Sequence, residues 1–222
     1  MTRTELRTLV ESVTGRTDKT TLANSMLDLG IKAFCRRHSF RDLESESDLT
    51  TTDGTTYVVL PTNTRRLIQA SFINDTQSWP LDLRTKKYLT DRWPNISSLS
   101  ENKPVKGYVE GANLYLFPVP DDAYTIRVTV ETSPASFASD STENPVESLD
   151  LALVEWVSAF IFSAVENFDI AAYHRSLSSE AFSEAVRDDI RQRRTFRQHE
   201  GFRSPEESLN KTNTYQDPFA RS

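Results

Sequence analysis

The sequence predicts an α+β protein in which a bundle of about four helices carries a small inserted antiparallel β-domain and an extended C-terminal tail. Apolar residues recur at helical spacing near both ends of the chain, whereas Thr-, Val- and Tyr-rich runs separated by turn residues fill the middle. Helices from the two ends must pack together, because the N-terminal pair alone cannot bury its apolar faces. The predicted segments are 1–48 (helices), 49–133 (β-domain with a short helix), 134–200 (helices) and 201–222 (tail).

Composition excludes several functional classes. The 222 residues, 37% of them hydrophobic, are enough to bury a core. The longest apolar run, Val157 to Val165, is too short to cross a bilayer, and the polar N-terminus lacks the apolar stretch of a secretory signal. We therefore expect no membrane partner. The formal net charge of -6 argues against a general nucleic-acid-binding protein.

Two helices are predicted before residue 48. Thr2 and Glu5 can form a capping box for the first helix, and Gly15 supplies its stop. The second helix should be capped by Thr17 or Asp18, and its apolar residues cover a broad surface. These residues are Leu22, Met26, Leu27, Leu29, Ile31, Ala33 and Phe34. Such a surface predicts contact with more than one neighbour.

The middle of the chain predicts strands. TTTDGTTYVVLP, residues 50–61, has a DG turn signal between β-prone runs and therefore predicts a hairpin. Arg65–Ile73 is a further β-prone run, and Lys86–Trp93 predicts a short helix that Pro94 ends. Lys106–Pro134 then predicts three strands joined by two turns.

The C-terminal part returns to helical periodicity. Leu149–Phe168 is the most apolar helix, with Ser148 as its candidate cap, and it should lie at the centre of the helical core. A long helix follows over residues 171–198. Its second half becomes polar, so this half should project beyond the core.

That polar half contains a cluster of arginines that could contact a protein partner or DNA. The candidates are Arg191, Arg193, Arg194 and Arg197. Asp188, Asp189 and Glu200 offset the positive charge of this stretch. A solvated helix face is the simplest explanation, a docking surface for an acidic partner comes next, and DNA contact comes last. Beyond Gly201, the polar composition predicts an extended or disordered segment when no partner is bound. Its candidate partner contacts are Phe202, Tyr215, Pro218 and Phe219.

Little in the sequence indicates catalysis. Asp121, Asp122 and Glu110 are the first carboxylates to consider, but all three fall in predicted turns. No HExxH, GxSxG or Walker motif is present, and no Cys/His cluster has zinc spacing. His174 is expected on the polar side of the last helix, and Cys35 is expected to be a buried small side chain. We predict no catalytic residues, no metal site and no cofactor.

Five segments between Leu22 and Val186 occur in an informative order. They are CRRHSFRDL, DGTTYVVLP, RRLIQASF, PVKGYVEGANLYLFPVPDDAYTIRVTVETSP and LVEWVSAFIFSAVENFDIAAYHRSLSSEAFSEAV. In order and spacing they resemble the adaptor proteins of tailed-bacteriophage connectors, also called head-to-tail connector or head-completion proteins.

The resemblance implies a structural protein of the virion neck, made in the host cytoplasm, and no enzyme. Family members form a ring, usually of twelve copies, that docks on the portal, extends the DNA channel and offers a platform for the next tail component. The implied partners are the portal protein, copies of the same chain, a downstream neck or tail protein, and genomic DNA that passes without specific binding. In many relatives the C-terminal segment reaches the portal and becomes ordered on binding.

Three alternatives stay open at this point. One is a tail-associated peptidoglycan hydrolase. Another is a different ring protein of the neck, such as a stopper or a tail-tube-proximal protein. The third is a DNA-binding module.

Overall fold

The computed structural model describes residues 1–74, 77–92 and 101–199. Within this part of the chain there are five α-helices and eight β-strands. The helices are α1 (Arg3–Thr14), α2 (Thr20–Arg37), α3 (Lys86–Arg92), α4 (Asp150–Ala164) and α5 (Phe168–His199). The strands are β1 (Glu44–Thr50), β2 (Tyr57–Val59), β3 (Thr64–Asn74), β4 (Gln77–Pro80), β5 (Asp82–Leu83), β6 (Lys106–Glu110), β7 (Asn113–Phe117) and β8 (Thr125–Thr132).

The strands form two sheets of four strands each. The first sheet has the order β1-β8-β3-β4 and the second β2-β7-β6-β5. All neighbouring strands are antiparallel except β5 and β6, which are parallel. Buried residues of both sheets share one apolar core, which explains their clean alternation with polar residues along β8. These core residues are Val58, Leu60, Ala70, Phe72, Leu81, Leu114, Leu116, Ile126, Val128 and Val130.

The predicted architecture, a bundle of about four helices with a small inserted β-domain, is wrong. The protein is α+β, but its β part consists of two four-stranded sheets with a core of their own, and five helices accompany them. The error comes from β1, whose sequence ESESDLT has almost no apolar side chain and so carries no strand signal. Pairing with β8 over seven residues makes it a strand. It also crosses the predicted boundary at residue 48.

The predicted hairpin over residues 50–61 is also wrong. Gly54 does adopt a positive φ of 69° at the DG turn. The strands on either side, however, enter different sheets: β1 pairs with β8, and β2 pairs with β7. The turn therefore connects the two sheets at one side of the sandwich and does not join two paired strands.

Three strands do follow Lys106, but only two of them pair with each other. β6 and β7 form a hairpin around Gly111, as predicted. β8 leaves that hairpin and inserts between β1 and β3 of the other sheet. The sequence of β8 does not reveal which sheet the strand joins, because its alternation of apolar and polar residues would suit either sheet.

The helical layer has a separate core in which α4 contacts α1, α2 and α5. The buried apolar residues of α4 are Ala152, Leu153, Val154, Val157, Ala159 and Ile161, whereas Leu151 and Phe160 are exposed. The α1 capping box between Thr2 and Glu5 and the left-handed cap at Gly15 are confirmed. The predicted cap of α2 is wrong, because Lys19 occupies that position and makes no side-chain capping bond.

A buried carboxylate joins the sheet to the helical layer. Glu131 on β8 is 2% exposed and accepts from Arg65 Nη1 at 2.8 Å, while Arg66 Nη2 lies 3.2 Å from its second oxygen. Arg65 also donates to the Cys35 carbonyl at the end of α2. A buried charge is tolerated when it is paired in this way, and here the pairing fixes α2 against β3 and β8.

Gly30 allows α2 and α4 to approach closely. A Cβ atom at this position would lie 2.8 Å from Leu153 Cδ2 and 2.9 Å from Trp156 Cε3. We predict that Gly30→Ala lowers the free energy of unfolding by about 1–2 kcal/mol, because overpacking outweighs the roughly 1 kcal/mol gained in helix propensity. Chemical denaturation measures this change.

Ser25→Ala is the matched control, since Ser25 is exposed on the same helix and donates only to the Thr21 carbonyl. It should leave the free energy of unfolding within about 0.5 kcal/mol of wild type. Equal stability of the Gly30 variant and the control would contradict the close-packing explanation.

Candidate functional site

The polar side chains with the most connections lie where α5 meets the segment between α2 and β1. Asp189 on α5 is 7% exposed. Its Oδ1 accepts from the Arg41 backbone N–H at 2.9 Å. Its Oδ2 lies 2.8 Å from His38 Nε2 and accepts from Arg193 Nε at 2.9 Å. We call this group the Asp189 cluster: Asp189, His38, Arg41, Arg193 and Glu44.

Arg193 extends the cluster to the first strand. Its Nη1 lies 2.8 Å from Glu44 Oε1, and its Nη2 donates to the Ser39 carbonyl at 2.7 Å. One guanidinium thus contacts α5, the connecting segment and β1. A planar group with several fixed donors suits such a junction better than an ammonium would.

The environment of Asp189 favours its charged form. Burial acts to raise the pKa of this carboxyl, but the hydrogen bonds from the Arg41 N–H, His38 and Arg193 outweigh burial, and the pKa is lowered. The carboxylate is therefore a permanent structural charge at neutral pH.

A cleft of about 310 Å³ lies beside the cluster. Its lining residues are Phe40, Asp42, Glu147, Ser148, Asp189 and Gln192. Burial raises the pKa of Asp42, and the nearby charges of Asp189 and Glu147 raise it further, although Arg41 acts in the opposite direction. The cleft therefore has two carboxyl groups, Asp42 and Asp189, whose pKa values are shifted in opposite directions.

The structure locates two of the four arginines predicted to contact a partner. Arg191 is exposed and pairs with Asp188 at 3.1 Å. Arg193 contributes to the Asp189 cluster, and its side chain is 35% exposed. Arg194 and Arg197 belong to α5, but their side chains fall outside the described part of the molecule. Contact of these arginines with a partner stays a prediction.

The tail residues Phe202, Tyr215, Pro218 and Phe219 also lie outside the described residues. Their role as partner contacts is likewise a prediction that the structure does not test.

The residues considered for catalysis have local partners. Asp121 accepts from the Tyr124 hydroxyl at 2.7 Å, and Asp122 accepts from the Ala123 N–H at 2.7 Å, as expected of turn residues. Glu110, at the end of β6, also has a partner of its own: it forms an ion pair with Lys86 at 2.7 Å. Each of these three carboxylates is therefore engaged by a residue of its own neighbourhood.

Cys35 is a buried thiol, as predicted. Burial raises the pKa of Cys35 to about 12, and the positive charge of Arg65 only partly opposes this. The thiolate needed for nucleophilic attack or metal binding is therefore scarce at neutral pH.

The prediction for His174 is wrong. Its ring is 9% exposed, stacks on Phe162 with centroids 5.1 Å apart, and places Nδ1 2.5 Å from Glu155 Oε2. The surrounding sequence looks polar because α5 buries a narrow stripe, and His174 falls on that stripe together with Ala171 and Ser178.

Other classes of site find little support in the described part of the chain. There, no group of three or more His, Cys, Asp or Glu side chains could hold a metal ion. Nor does any helix described by the structure have both the length and the apolar character needed to cross a membrane.

Sequence reasoning missed most of the Asp189 cluster. Asp189 lies 151 residues from His38 and 148 from Arg41, so no local pattern connects them. The only available signal was the placement of Asp188 and Asp189 inside an arginine-rich stretch. Asp188 pairs with Arg191 on the helix surface, whereas the buried Asp189 pairs with Arg193.

We predict that Asp189→Asn lowers the free energy of unfolding by about 2 kcal/mol at pH 7, because the amide cannot replace the charge-assisted bonds of the carboxylate. Since the folded-state pKa is lowered, the stabilisation by Asp189 is complete above its ordinary pKa, near 3.8. It disappears as the pH falls through the lower folded-state value. Denaturation at several pH values should therefore show wild type and variant converging under acid conditions.

Asp188→Asn is the control for this experiment. Asp188 is next in the chain, its side chain is 48% exposed, and it pairs with an arginine on the helix surface. This substitution should change stability by less than about 1 kcal/mol. A pH-independent difference for the Asp189 variant would show that its charge is not the stabilising feature.

Comparison with known proteins identifies the family. No curated protein matches the chain. The family model described as SU10 adaptor protein matches residues 1–201, which is most of the sequence. This is a family of bacteriophage structural adaptors, so its members are virion components, and the membership is consistent with a non-catalytic role. The chain belongs to the SU10 adaptor protein family.

Proposed function

We propose that this chain is the adaptor ring protein of a phage head-to-tail connector. Copies of the chain, twelve in the simplest case, dock on the portal, extend the DNA channel and offer a platform for the next neck or tail protein. Genomic DNA passes through without specific binding. Membership in the SU10 adaptor protein family is the observation that carries this proposal.

The end of α5 supports the proposed contact with the portal. α5 spans 32 residues, which corresponds to about 48 Å of helix. The family match ends at residue 201, where the predicted docking tail begins. The tail therefore follows directly on a long helix that the Asp189 cluster anchors through Arg193. Such an anchor gives the docking segment a fixed starting point, which lowers the entropy lost on binding.

The basic residues near this end fit a protein partner better than DNA. Arg193 already shares its charge with Asp189 and Glu44, and Arg191 pairs with Asp188. Guanidinium groups neutralised within the chain contribute little to the phosphate neutralisation on which DNA affinity depends. A weakly binding wall is also what a channel needs if DNA is to move through it.

One observation favours the alternative of a glycan hydrolase. The cleft beside Asp189 contains two carboxyl groups with pKa values shifted in opposite directions, as in an acid–base pair. Asp189, however, already accepts from Arg41, His38 and Arg193, so both its oxygens are engaged. A cleft of about 310 Å³ is also at the lower limit for a ligand site.

We predict that the full chain binds purified portal protein of the same virus and that the tail aromatics contribute much of the affinity. Phe202→Ala with Tyr215→Ala and Phe219→Ala should weaken binding by more than about tenfold, because buried aromatic anchors dominate such interfaces. Co-sedimentation and electron microscopy of the complex measure this. Ser204→Ala with Ser208→Ala and Thr214→Ala is a control in the same segment and should bind like wild type.

Undiminished binding of the triple aromatic variant would reject the tail contact. Failure of the wild-type chain to bind the portal would reject the adaptor function itself. Peptidoglycan zymography separates the alternative: we expect no clearing by wild type, whereas clearing that Asp42→Asn abolishes would favour a hydrolase.

A further inference from the structure

Two pairs of opposite charge lie on different helices of the helical layer. α2 carries Lys32 and Arg36, and α5 carries Glu180 and Glu184, each pair one helical turn apart. Arg36 and both glutamates are exposed, and Lys32 is half-buried. None of the four enters an ion pair within the described residues, whereas Arg3, Arg7 and Arg193 of the same layer each do.

The two pairs lie at the same height along the helices. Phe34 stacks on Phe182 with ring centroids 5.0 Å apart, which brings these two positions to a similar height. Further along, His38 at the end of α2 contacts Asp189 on α5, so the two helices run in the same direction. Each charged residue lies two positions before or after its phenylalanine. With a rise of about 1.5 Å per residue, Lys32 is then close in height to Glu180, and Arg36 to Glu184.

The two pairs also face away from each other. Successive residues of an α-helix are about 100° apart, so positions two before and two after a residue both lie about 160° from it. Phe34 and Phe182 face each other across the interior. Lys32 and Arg36 therefore leave the molecule on one side, and Glu180 and Glu184 leave it on the opposite side.

Each charged pair has an apolar neighbour on its own face. Leu29 on α2 is 53% exposed and precedes Lys32 by three residues. Leu177 on α5 is half-buried and precedes Glu180 by three residues. Both leucines lie five positions before the stacked phenylalanines, so they are level as well. The sequence prediction that α2 offers apolar surface to a second neighbour rested partly on Leu29.

From this geometry we infer that a second copy of the chain docks through these faces, with α2 of one copy against α5 of the next. This inference rests on the proposed adaptor function and adds the contact between its subunits. Lys32 then pairs with Glu180, Arg36 pairs with Glu184, and Leu29 packs on Leu177. The match needs only a rotation about an axis roughly parallel to both helices, because the matched residues already lie at the same height.

Such an interface is heterologous, because different surfaces of the two copies meet. Repeated by rotation, it closes into a ring. Exposed ion pairs contribute little affinity individually, but they set orientation and register and exclude wrong partners. The leucine contact supplies the apolar burial, and every copy of a closed ring makes the full contact on both sides.

Charge reversal tests this interface on the full-length chain by sedimentation velocity at low and high salt. One variant carries Lys32→Glu and Arg36→Glu, and a second carries Glu180→Lys and Glu184→Lys. Each alone should associate at least about tenfold more weakly than wild type at low salt, because like charges then meet. An equimolar mixture should recover association, because the two variants fit each other in alternation.

Lys87→Glu with Lys103→Glu changes the net charge as much as the α2 variant does. Both lysines are exposed and lie outside the helical layer, Lys87 in α3 and Lys103 in the segment before β6. This control should associate like wild type. Recovery in the mixture also shows that both reversed variants are folded, so lost association cannot be attributed to misfolding.

The results distinguish failure of this interface from failure of the adaptor function. If the wild type associates and the reversed variants associate equally well, the interface is overturned and the adaptor function is left intact. A wild-type chain that stays monomeric at low salt and high concentration would also overturn it, and portal binding would then still decide the adaptor function separately. Equal loss in the control would attribute the effect to net charge and reject the assigned pairs.

Discussion

The compensation of buried charge at the junction between helices and sheets constrains the rest of the molecule. Asp189 has its carboxylate almost fully removed from water, and such a charge costs several kcal/mol unless donors surround it. The donors come from the end of α2, the segment after it and α5 itself. Glu131 repeats the arrangement on β8 with Arg65 and Arg66. Because each carboxylate needs all its donors together, the two layers have one relative position that satisfies both.

That fixed position also determines which faces of α2 and α5 are exposed on the helical layer. The Phe34–Phe182 stack and the His38–Asp189 contact join α2 to α5 at two points, and α4 packs against both helices. The outer faces of both helices consequently point away from each other. The charged residues on these faces keep fixed positions along the helix axes. A shift of α5 by one turn would move its acids about 5.4 Å relative to the bases of α2 and would break the match. Internal packing and the proposed assembly thus depend on the same contacts.

The sequence predicted best those features whose physical cause is local. The capping box of Thr2 and Glu5, the left-handed stop at Gly15, the β6–β7 hairpin around Gly111 and the short helix α3 all follow from a few neighbouring residues. The apolar character of α4 likewise predicted its central position. The architecture failed at β1, because a strand made of Glu, Ser and Asp has no local reason to be extended. Its partner β8 lies about 80 residues later, and pairing with that strand determines its conformation.

Local composition thus determined the helices, the turns and the alternation of buried and exposed residues along the strands. It also carried the likeness to phage adaptors that the family match supports. Tertiary structure decided which strands share a sheet, which of two adjacent acids is buried, and that His174 lies inside. It alone brought Lys32 and Arg36 level with Glu180 and Glu184, some 150 residues away in the chain. The reason is that propensity and capping act within a few residues, whereas strand exchange, charge compensation and the direction of a surface depend on residues that only folding brings together.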